Sequence, residues 1–456
     1  MSAPPLDDVK PEEAQARVRW SVVPLLRRLH FYAGVFVAPF LVVAALSGML
    51  YAFSPQLDDL LYGDVLYVEE TAGAPRPLAE QVAAAQSAVP AGSAVTTVGV
   101  PEAADEATRV VFSVPGLPEE HSRTVYVNPY TAGVQGQLTT WFGATPVTTW
   151  LDGFHRDLRL GETGALYSEM AASWLWVISL AGVVLWLVRR RKARGPRTGV
   201  RRTRARHGKL GAWTLVGALF LSATGLTWST YAGENFSAAL EALHAKAPVL
   251  DTALPGGAST GSTGHHGGSA TGSAADPATF DRVLVTARTA GLDGPLEIGA
   301  ASGKAWTAAQ VDNTWPVRLD KVAVDPASAR VTARADFDDR PLLAKLTTLG
   351  IQAHMGRLFG IVNQIALLLV AGAILTLIFL GYRMWWQRRP TRGDRRAPVG
   401  VAPRRGAWQQ LPLWFLVPAP LVVIAVGWAI PLLGISLAAF LVLDGLIGLR
   451  RARATT

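Results

Sequence analysis

The sequence predicts an α-helical polytopic membrane protein with a duplicated four-helix transmembrane core, a C-terminal helical hairpin and two α+β exported domains. Three observations predict this fold class. Half of the 456 residues are hydrophobic and the mean hydropathy is positive, which is unusual for a soluble chain of this length. Apolar segments long enough to cross a bilayer recur along the chain. Two stretches also match two later ones in register without gaps, which indicates internal duplication.

Composition excludes several kinds of site. The chain has no cysteine, so disulfides, iron–sulfur clusters, thiolate zinc sites and covalent C-x-x-C-H haem attachment are all excluded. The 43 Lys and Arg residues exceed the 34 Asp and Glu residues, for a net charge of +9. These basic residues concentrate beside apolar runs, so they indicate membrane topology, and no nucleic-acid partner is expected.

The first predicted elements are four apolar spans. They contain no Asp, Glu, Lys or Arg, and each is long enough to cross the hydrocarbon layer of a bilayer, which is about 30 Å thick. The spans are residues 30–53 (TM1), 170–188 (TM2), 211–230 (TM3) and 361–382 (TM4). A fifth apolar region, 411–449, is too long for one span and is interrupted near Gly427 and Pro431, which predicts a hairpin of two further helices, TM5 and TM6.

The distribution of arginine predicts the orientation of these spans. Residues 189–209 contain eleven Lys or Arg and no acid, and arginine is also abundant after TM4, so both regions are expected to face the cytoplasm. The predicted cytoplasmic segments are 1–29, 189–210, 383–410 and 450–456, and the exported segments are 54–169 and 231–360. The sequence therefore predicts a multi-pass protein of a bacterial inner membrane with both termini in the cytoplasm.

Each exported segment has the pattern of a small α+β domain. Alanine-rich helical stretches precede segments with the period-2 alternation of a strand, and each of these strands runs into a turn. The helical stretches are 79–88 and 278–290, and the strand segments are 124–127 and 321–324.

The second exported segment also contains a stretch of low complexity. Residues 255–275 are rich in Gly, Ser and Thr, which is typical of a solvated linker. The pair His265-His266 within it could bind a metal, but solvated linker is the favoured interpretation.

The internal repeat is the strongest signal in the sequence. When His30 is aligned with His207, glycines recur at two identical offsets, pairing Gly34 with Gly211 and Gly48 with Gly225. When His155 is aligned with His354, Gly182 falls opposite Gly381. Recurrence of the same residues in register indicates a duplicated unit.

Each alignment is anchored by a histidine, and the predicted topology sorts the four histidines into two pairs. His30 and His207 begin outward-going helices near the cytoplasmic face, whereas His155 and His354 precede inward-going helices near the exported face. One member of each pair comes from each repeat. This is the arrangement that two bis-histidine haems require, with the four histidines as iron ligands.

The glycines are predicted to leave room for a flat macrocycle. A glycine four residues after a histidine lies one turn along the same helix face. The glycines expected at the cytoplasmic-side haem are Gly34, Gly211, Gly182 and Gly381, and those expected at the exported-side haem are Gly48 and Gly225.

Two simpler interpretations stay open. A histidine at a helix end is often an interfacial residue, and glycines in membrane helices often serve close helix packing. Helix packing alone does not explain why histidine occurs at four corresponding positions, so iron ligation is the favoured interpretation. An iron with two imidazole ligands has no open position, which favours electron transfer over oxygen chemistry or hydrolysis.

Several motifs resemble one known family. They are Leu29-His30 with Gly34 and Ser47-Gly48, Val127-Asn128-Pro129-Tyr130-Thr131, Phe154-His155-Arg156-Asp157-Leu158 and Ala353-His354-Met355-Gly356-Arg357-Leu358-Phe359-Gly360. Over about residues 20–390 the chain resembles the PepSY-associated transmembrane family, also called iron-regulated membrane proteins, which includes ferric-siderophore reductases. The resemblance implies PepSY-like exported domains and two haem b groups, with His30, His155, His207 and His354 as ligands. The sequence departs from the family's Asp-Pro-x-Thr-Gly turn, since alanine replaces glycine at Ala132 and Ala329.

The histidine pairs and the resemblance together predict transmembrane electron transfer. A cytoplasmic or membrane donor would reduce the haem of His30 and His207, and the electron would pass through the second haem to an exported-side acceptor. The resemblance implies a ferric chelate such as a ferric siderophore as the acceptor, and hence an oxidoreductase of the ferric-chelate reductase type. The sequence has no G-x-G-x-x-G fingerprint on a strand-to-helix turn, so the donor is expected to be another molecule, and quinol and a separate flavoprotein both stay open.

Two other classes of function stay open as alternatives. A regulator whose exported domains bind a peptidase or a peptide would use the membrane part only as an anchor, but it leaves the four histidines unexplained. A metal or solute transporter would be expected to hold ionisable groups near the middle of the membrane. The nearest such residue, Asp444, is predicted close to a cytoplasmic helix end.

Overall fold

The computed structural model describes residues 23–69, 71–118, 120–190, 199–254, 276–387 and 418–453. These residues form two compact units. The first unit comprises the described parts of 1–42, 169–226 and 373–456, and the second comprises those of 43–168 and 227–372. Several predicted segments lie wholly or partly outside the described residues, namely the tail at 1–22, the linker 255–275 with His265-His266, and residues 191–198, 388–410 and 411–417.

The described helices and strands follow one another in a repeated order. In chain order they are α1 (Val23–Phe36), α2 (Ala38–Tyr51), α3 (Ser54–Leu66), α4 (Leu78–Ser87), β1 (Ala94–Val100), β2 (Thr108–Ser113), β3 (His121–Val127), β4 (Val134–Trp141), α5 (Pro146–Asp157), α6 (Glu162–Arg190), α7 (Gly199–Leu226), α8 (Thr230–Ala242), α9 (Ala278–Thr289), β5 (Leu296–Gly299), β6 (Trp306–Gln310), β7 (Lys321–Asp325), β8 (Arg330–Ala335), α10 (Leu342–His354), α11 (Gly360–Trp386), α12 (Pro418–Ala429) and α13 (Pro431–Arg453). Two helices, four strands and two helices occur in the same order from α3 to α6 and from α8 to α11. This order matches the two halves of the sequence repeat.

The described chain is mostly helical and is built to cross a membrane more than once. Three helices, α6, α7 and α11, are long and apolar enough to span a bilayer. The bent pair α1 and α2 would make a fourth span if the two helices act as one. A stretch of about 20 apolar residues is what a helical span requires.

The predicted first span is interrupted near its middle. α1 and α2 are bent by 57° where they meet at Val37. Pro39, in the first turn of α2, lacks the N–H that would bond to the Val35 carbonyl, and its ring crowds that carbonyl. The Val35 carbonyl instead accepts a hydrogen bond from the Tyr382 hydroxyl at 2.9 Å. The proline thus divides this apolar segment into two helices.

The second unit contains one continuous eight-stranded antiparallel sheet. Its strand order is β4-β3-β2-β1-β5-β6-β7-β8, so the strands of the two predicted exported domains occupy opposite halves. The halves join through β1 and β5, where Thr97 pairs with Gly299 and Val98 with Ile298. The sequence predicts two α+β domains and does not predict that they share a sheet. Pairing of the two edge strands satisfies backbone groups that a separate domain would leave exposed.

α4 and α9 pack on this sheet and close a hydrophobic core that the two halves share. Its fully buried members come from both halves and include Val82, Phe112, Val125, Phe280, Ile298 and Val324. Complete burial of such a side chain contributes about 1.5–3 kcal/mol. Phe280 of α9 contacts Trp306 of β6, with ring centres 4.7 Å apart. The stability of each half therefore depends on the other.

An aspartate from one half caps a helix of the other. α4 begins after Pro77, whose side chain cannot accept a hydrogen bond. The Asp281 carboxylate of α9 accepts instead from the backbone N–H groups of Leu78 and Ala79, at 2.7 and 2.9 Å. A carboxylate at a helix N-terminus is also favoured by the helix dipole. A polar contact thus reinforces the union of the two halves.

Two turns hold alanine in a left-handed conformation. Ala132 has a φ of 56° and Ala329 a φ of 54°, and these are the positions where the family pattern has glycine. A Cβ disfavours this region, whereas glycine adopts it freely. In the first turn, Asn128 Oδ1 accepts from the backbone N–H groups of Tyr130 and Thr131 at 2.8 and 3.1 Å, which holds the conformation.

We expect Ala132→Gly to raise the free energy of unfolding by about 1 kcal/mol, because it removes the strain of a left-handed alanine. Thermal unfolding followed by tryptophan fluorescence measures the change. Ala83→Gly is the matched control, since Ala83 is exposed within α4, where glycine costs about 1 kcal/mol. An Ala132→Gly protein that unfolds at a lower temperature would contradict the strain argument.

α12 and α13 pack against each other as a hairpin in the first unit. The helical chain breaks at Ile430, directly before Pro431, close to the predicted interruption. The backbones of Gly427 and Gly434 approach each other closely, since a Cβ on Gly434 would lie 2.5 Å from the Gly427 Cα. Small residues at a helix contact allow this approach.

Candidate functional site

Two of the four predicted histidines meet in the first unit. His30 lies in α1 and His207 in α7, so each half of the repeat contributes one member. Their ring centres are 6.2 Å apart and their planes form an angle of 76°. Both side chains are partly buried.

Helix carbonyls fix the orientation of both rings. Nδ1 of His30 lies 3.0 Å from the Ile178 carbonyl oxygen of α6, and Nδ1 of His207 lies 3.1 Å from the Leu377 carbonyl oxygen of α11. Since a carbonyl can only accept, each Nδ1 carries the hydrogen and donates it. The lone pair of each ring is then on Nε2, which is the nitrogen available to a metal.

A glycine lies one turn after each of these carbonyls, beside the imidazole. Gly182 follows Ile178 by four residues, and a Cβ there would lie 2.9 Å from the Cε1 atom of His30. Gly381 has the equivalent position in α11, where a Cβ would lie 3.9 Å from Cε1 of His207. The sequence predicts both glycines beside this pair, as room for a macrocycle. In the structure Gly182 makes room for the His30 ring itself, whereas a Cβ on Gly381 would make only an ordinary van der Waals contact with the His207 ring.

The other two histidines meet in the second unit. His155 lies in the last turn of α5 and His354 ends α10, with ring centres 6.3 Å apart and planes at 47°. Burial lowers the pKa of His155 to about 4. Burial, together with the nearby His155 ring, lowers the pKa of His354 to about 3. Both imidazoles are therefore neutral at pH 7, which is the form that binds iron.

Ser47 of α2 orients the His155 ring. Its hydroxyl donates to the Val43 carbonyl at 2.8 Å and lies 2.9 Å from Nδ1 of His155. Because the hydroxyl hydrogen is already used, the oxygen accepts from Nδ1, and Nε2 again holds the lone pair. A Cβ on Gly48 would lie 3.0 Å from Cε1 of His155. Tyr51, one turn further along α2, stacks on the same ring at 6.4 Å and 18°.

The remaining predicted glycines have less direct positions. Gly34 lies one turn after His30, and a Cβ there would meet no described atom within 4 Å. Gly211 lies one turn after the histidine of α7, and a Cβ there would lie 3.7 Å from Cδ2 of Leu377. Gly34 thus borders open space, whereas Gly211 packs against α11. Gly225 lies in the last turn of α7, and its role at the second pair stays a prediction.

Sequence reasoning missed four groups at these sites. They are the carbonyls of Ile178 and Leu377, the hydroxyl of Ser47 and the ring of Tyr51. A helical glycine leaves the carbonyl four residues earlier open to an approaching side chain. The spacing between Ile178 and Gly182, and its repetition in α11, is the signal that could have found the carbonyls.

Both ring spacings fit one iron between two imidazoles. A metal–imidazole bond is about 2 Å and the ring centre lies roughly 1 Å behind the coordinating nitrogen, so two rings sharing one ion have centres about 6 Å apart. Among the described residues, no three or more His, Asp or Glu side chains form a group that could hold a metal ion. Two imidazoles are the protein ligands that a bis-histidine haem needs.

Comparison with known families decides the membership of the chain. A family model described as the PepSY-associated TM region matches residues 27–388, which is most of the sequence. The chain belongs to this family. No curated protein matches it. The PepSY-associated TM match includes all four histidines and every strand of the shared sheet, and it ends before α12. The chain is therefore a multi-pass membrane protein of this family with a C-terminal hairpin beyond the family's region.

Proposed function

We propose that this PepSY-associated TM protein carries electrons across the membrane through two haem b groups. His30 and His207 would hold one group, and His155 and His354 the other. The observation that supports this most is the pairing of oriented imidazoles, with ring centres 6.2 and 6.3 Å apart. Three of the four rings have Nδ1 engaged by an oxygen, which leaves Nε2 for iron.

Haem iron with two imidazole ligands exchanges single electrons and has no open position for oxygen or substrate. The residues of the chain position the ligands for that role. Hydrogen bonds from Nδ1 to an oxygen hold the rings of His30, His155 and His207 in one orientation and strengthen Nε2 as a donor. The low pKa values of His155 and His354 mean that no proton must leave either ring when iron binds at neutral pH.

The proposed direction of electron movement follows from the positive-inside rule. In a bacterial inner membrane with cytoplasmic termini, the first pair is near the cytoplasmic face and the second near the exported face. Quinol or a flavoprotein would donate to the first site, and a ferric chelate such as a ferric siderophore would accept from the second. A membrane potential that is negative inside favours this outward movement of negative charge.

Absorption spectroscopy of the detergent-purified protein tests haem binding. We expect the reduced-minus-oxidised spectrum of a b-type haem, and about two haems per chain by pyridine haemochrome assay, since each bis-histidine site holds one iron. A colourless protein from haem-replete cells would refute the proposal.

Sealed vesicles test electron transfer separately. A membrane-impermeant reductant is added outside vesicles that contain the protein and a trapped ferric chelate. We expect reduction of the trapped chelate by intact protein, and little reduction in empty vesicles or in vesicles with the His354→Ala protein. Equal rates in all three preparations would show that the protein is no conduit.

Gly182→Ala is expected to weaken haem binding at the first site about 10- to 100-fold, as loss of an orienting contact at a metal ligand does. The reason is that the new Cβ would lie 2.9 Å from Cε1 of His30 and displace the ring. Gly48→Ala should have the same effect at the second site. Haem titration of the apoprotein measures both affinities. Gly372→Ala is the control, because a Cβ there meets no described atom within 4 Å, and equal binding in all three variants would contradict the argument.

A further inference from the structure

An arginine precedes each ligand of the first pair at the same spacing. Arg27 lies three residues before His30, and Arg204 lies three residues before His207. Residues three apart on a helix are neighbours on one face, and helical side chains lean toward the N-terminus. Both arginines therefore lie beside the histidine pair, toward the N-terminal ends of α1 and α7.

The two arginines share a strongly positive environment. Arg189, at the end of α6, interacts electrostatically with both Arg204 and Arg27. Nε of Arg27 is buried and has no hydrogen-bond partner among the described residues. A buried donor without an acceptor is costly, and so is the mutual repulsion of three cations. An oxyanion between the arginines would remove both costs.

We infer that Arg27 and Arg204 bind the two carboxylates of the haem held by His30 and His207. The inference rests on the proposed function. Haem b carries two propionate carboxylates, and the duplication supplies two arginines, one beside each ligand. The planar guanidinium matches a carboxylate with two parallel hydrogen bonds. A lipid phosphate has related chemistry, and the experiment below separates the two sources.

The second pair lacks this feature. The residues three positions before His155 and His354 are Asp152 and Ile351, and Asp152 is ion-paired with Arg156 at 3.6 Å. No arginine takes either place. An arginine three residues before each ligand is therefore found at the first pair and not at the second.

Haem and its dimethyl ester, in which both carboxylates are blocked, test the inference. The His354→Ala protein, which would keep only the first site, is prepared as apoprotein in detergent and titrated optically with each compound. We expect haem to bind at least about tenfold more tightly than the ester, as expected when charge-assisted hydrogen bonds are lost. Arg27→Gln and Arg204→Gln should each reduce this preference, and the double variant should remove most of it. Arg206→Gln is the control, because Arg206 is exposed on the same helix beside His207.

Each other outcome overturns the inference. Equal affinity for haem and ester, or a preference that survives Arg27→Gln and Arg204→Gln, overturns it and leaves the proposed function standing. Loss of bound phospholipid phosphate from the arginine variants, with the preference for haem intact, assigns the arginines to a lipid headgroup. Failure of the unsubstituted protein to bind any haem refutes the proposed function as well. If Arg27→Gln does not fold, Arg204→Gln and Arg27→Lys decide the question. Lysine keeps the positive charge but lacks the planar pair of N–H donors that a guanidinium offers a carboxylate.

Discussion

The His354→Ala protein is expected to purify with about one haem per chain instead of about two, and the His30→Ala protein with the other one, since each iron depends on one pair of ligands. Each pair lies within a single unit, His30 with His207 in the first and His155 with His354 in the second. Loss of one imidazole would leave that iron a single protein ligand and would leave the other pair complete. Pyridine haemochrome per chain measures the loss, and the difference spectra of the two variants should add up to that of the unsubstituted protein.

His244→Asn is the matched control for these variants. His244 is exposed and has a φ of 51°, a conformation that asparagine tolerates, so the substitution removes a histidine without strain. This protein should keep both haems. Two haems in the His354→Ala protein would show that His354 is no ligand, and loss of both haems from either alanine variant would show that the sites are not independent.

The positions of the histidines could be predicted from the sequence, but the orientation of their rings could not. The repeat relates His30 to His207 and His155 to His354, and the arginine distribution predicts the membrane side of each pair. The acceptors that orient the rings of the first pair are backbone carbonyls, which every residue has. Only the glycine four residues later, Gly182 in the first half, marks the carbonyl that is used.

The shared sheet had no sequence signal, whereas the break in the first span had one. Period-2 alternation identifies a strand but not its partner, and β1 and β5 come from opposite halves of the chain. Their pairing depends on the common core and on the Asp281 cap of α4, which only the folded structure brings together. Pro39, in contrast, stands inside the predicted span, and its missing N–H accounts for the bend.

The C-terminal hairpin lies beyond the family's region and is attached to the first unit by specific contacts. Arg28 of α1 forms an ion pair with Asp444 of α13. The indole N–H of Trp174 donates to the Ser436 hydroxyl at 2.9 Å. Arg28 is only 6% exposed, so its charge depends on Asp444. Asp444 lies well inside α13 and not at its end as predicted, and its pairing with Arg28 gives it a structural role.

We expect Asp444→Asn to lower the free energy of unfolding by about 3–5 kcal/mol, because it leaves a buried guanidinium without its counter-charge. Among the substitutions proposed here that leave the histidines unchanged, this one should cause the largest loss in the free energy of unfolding. Unfolding of the detergent-solubilised protein by denaturant, followed by tryptophan fluorescence, measures it. Replacement of both partners, Arg28→Leu with Asp444→Leu, should recover most of the loss, since two apolar side chains of similar size leave no buried charge.

Glu80→Gln is the surface control for this ion pair. Glu80 pairs with Arg76 at 3.0 Å, but both side chains are about half exposed, so its removal should cost less than about 1 kcal/mol. An Asp444→Asn protein as stable as the unsubstituted one would mean that Arg28 finds other acceptors, and that apolar contacts such as that of the buried Leu433 hold the hairpin. A double variant less stable than Asp444→Asn alone would instead show that the charges themselves stabilise the first unit.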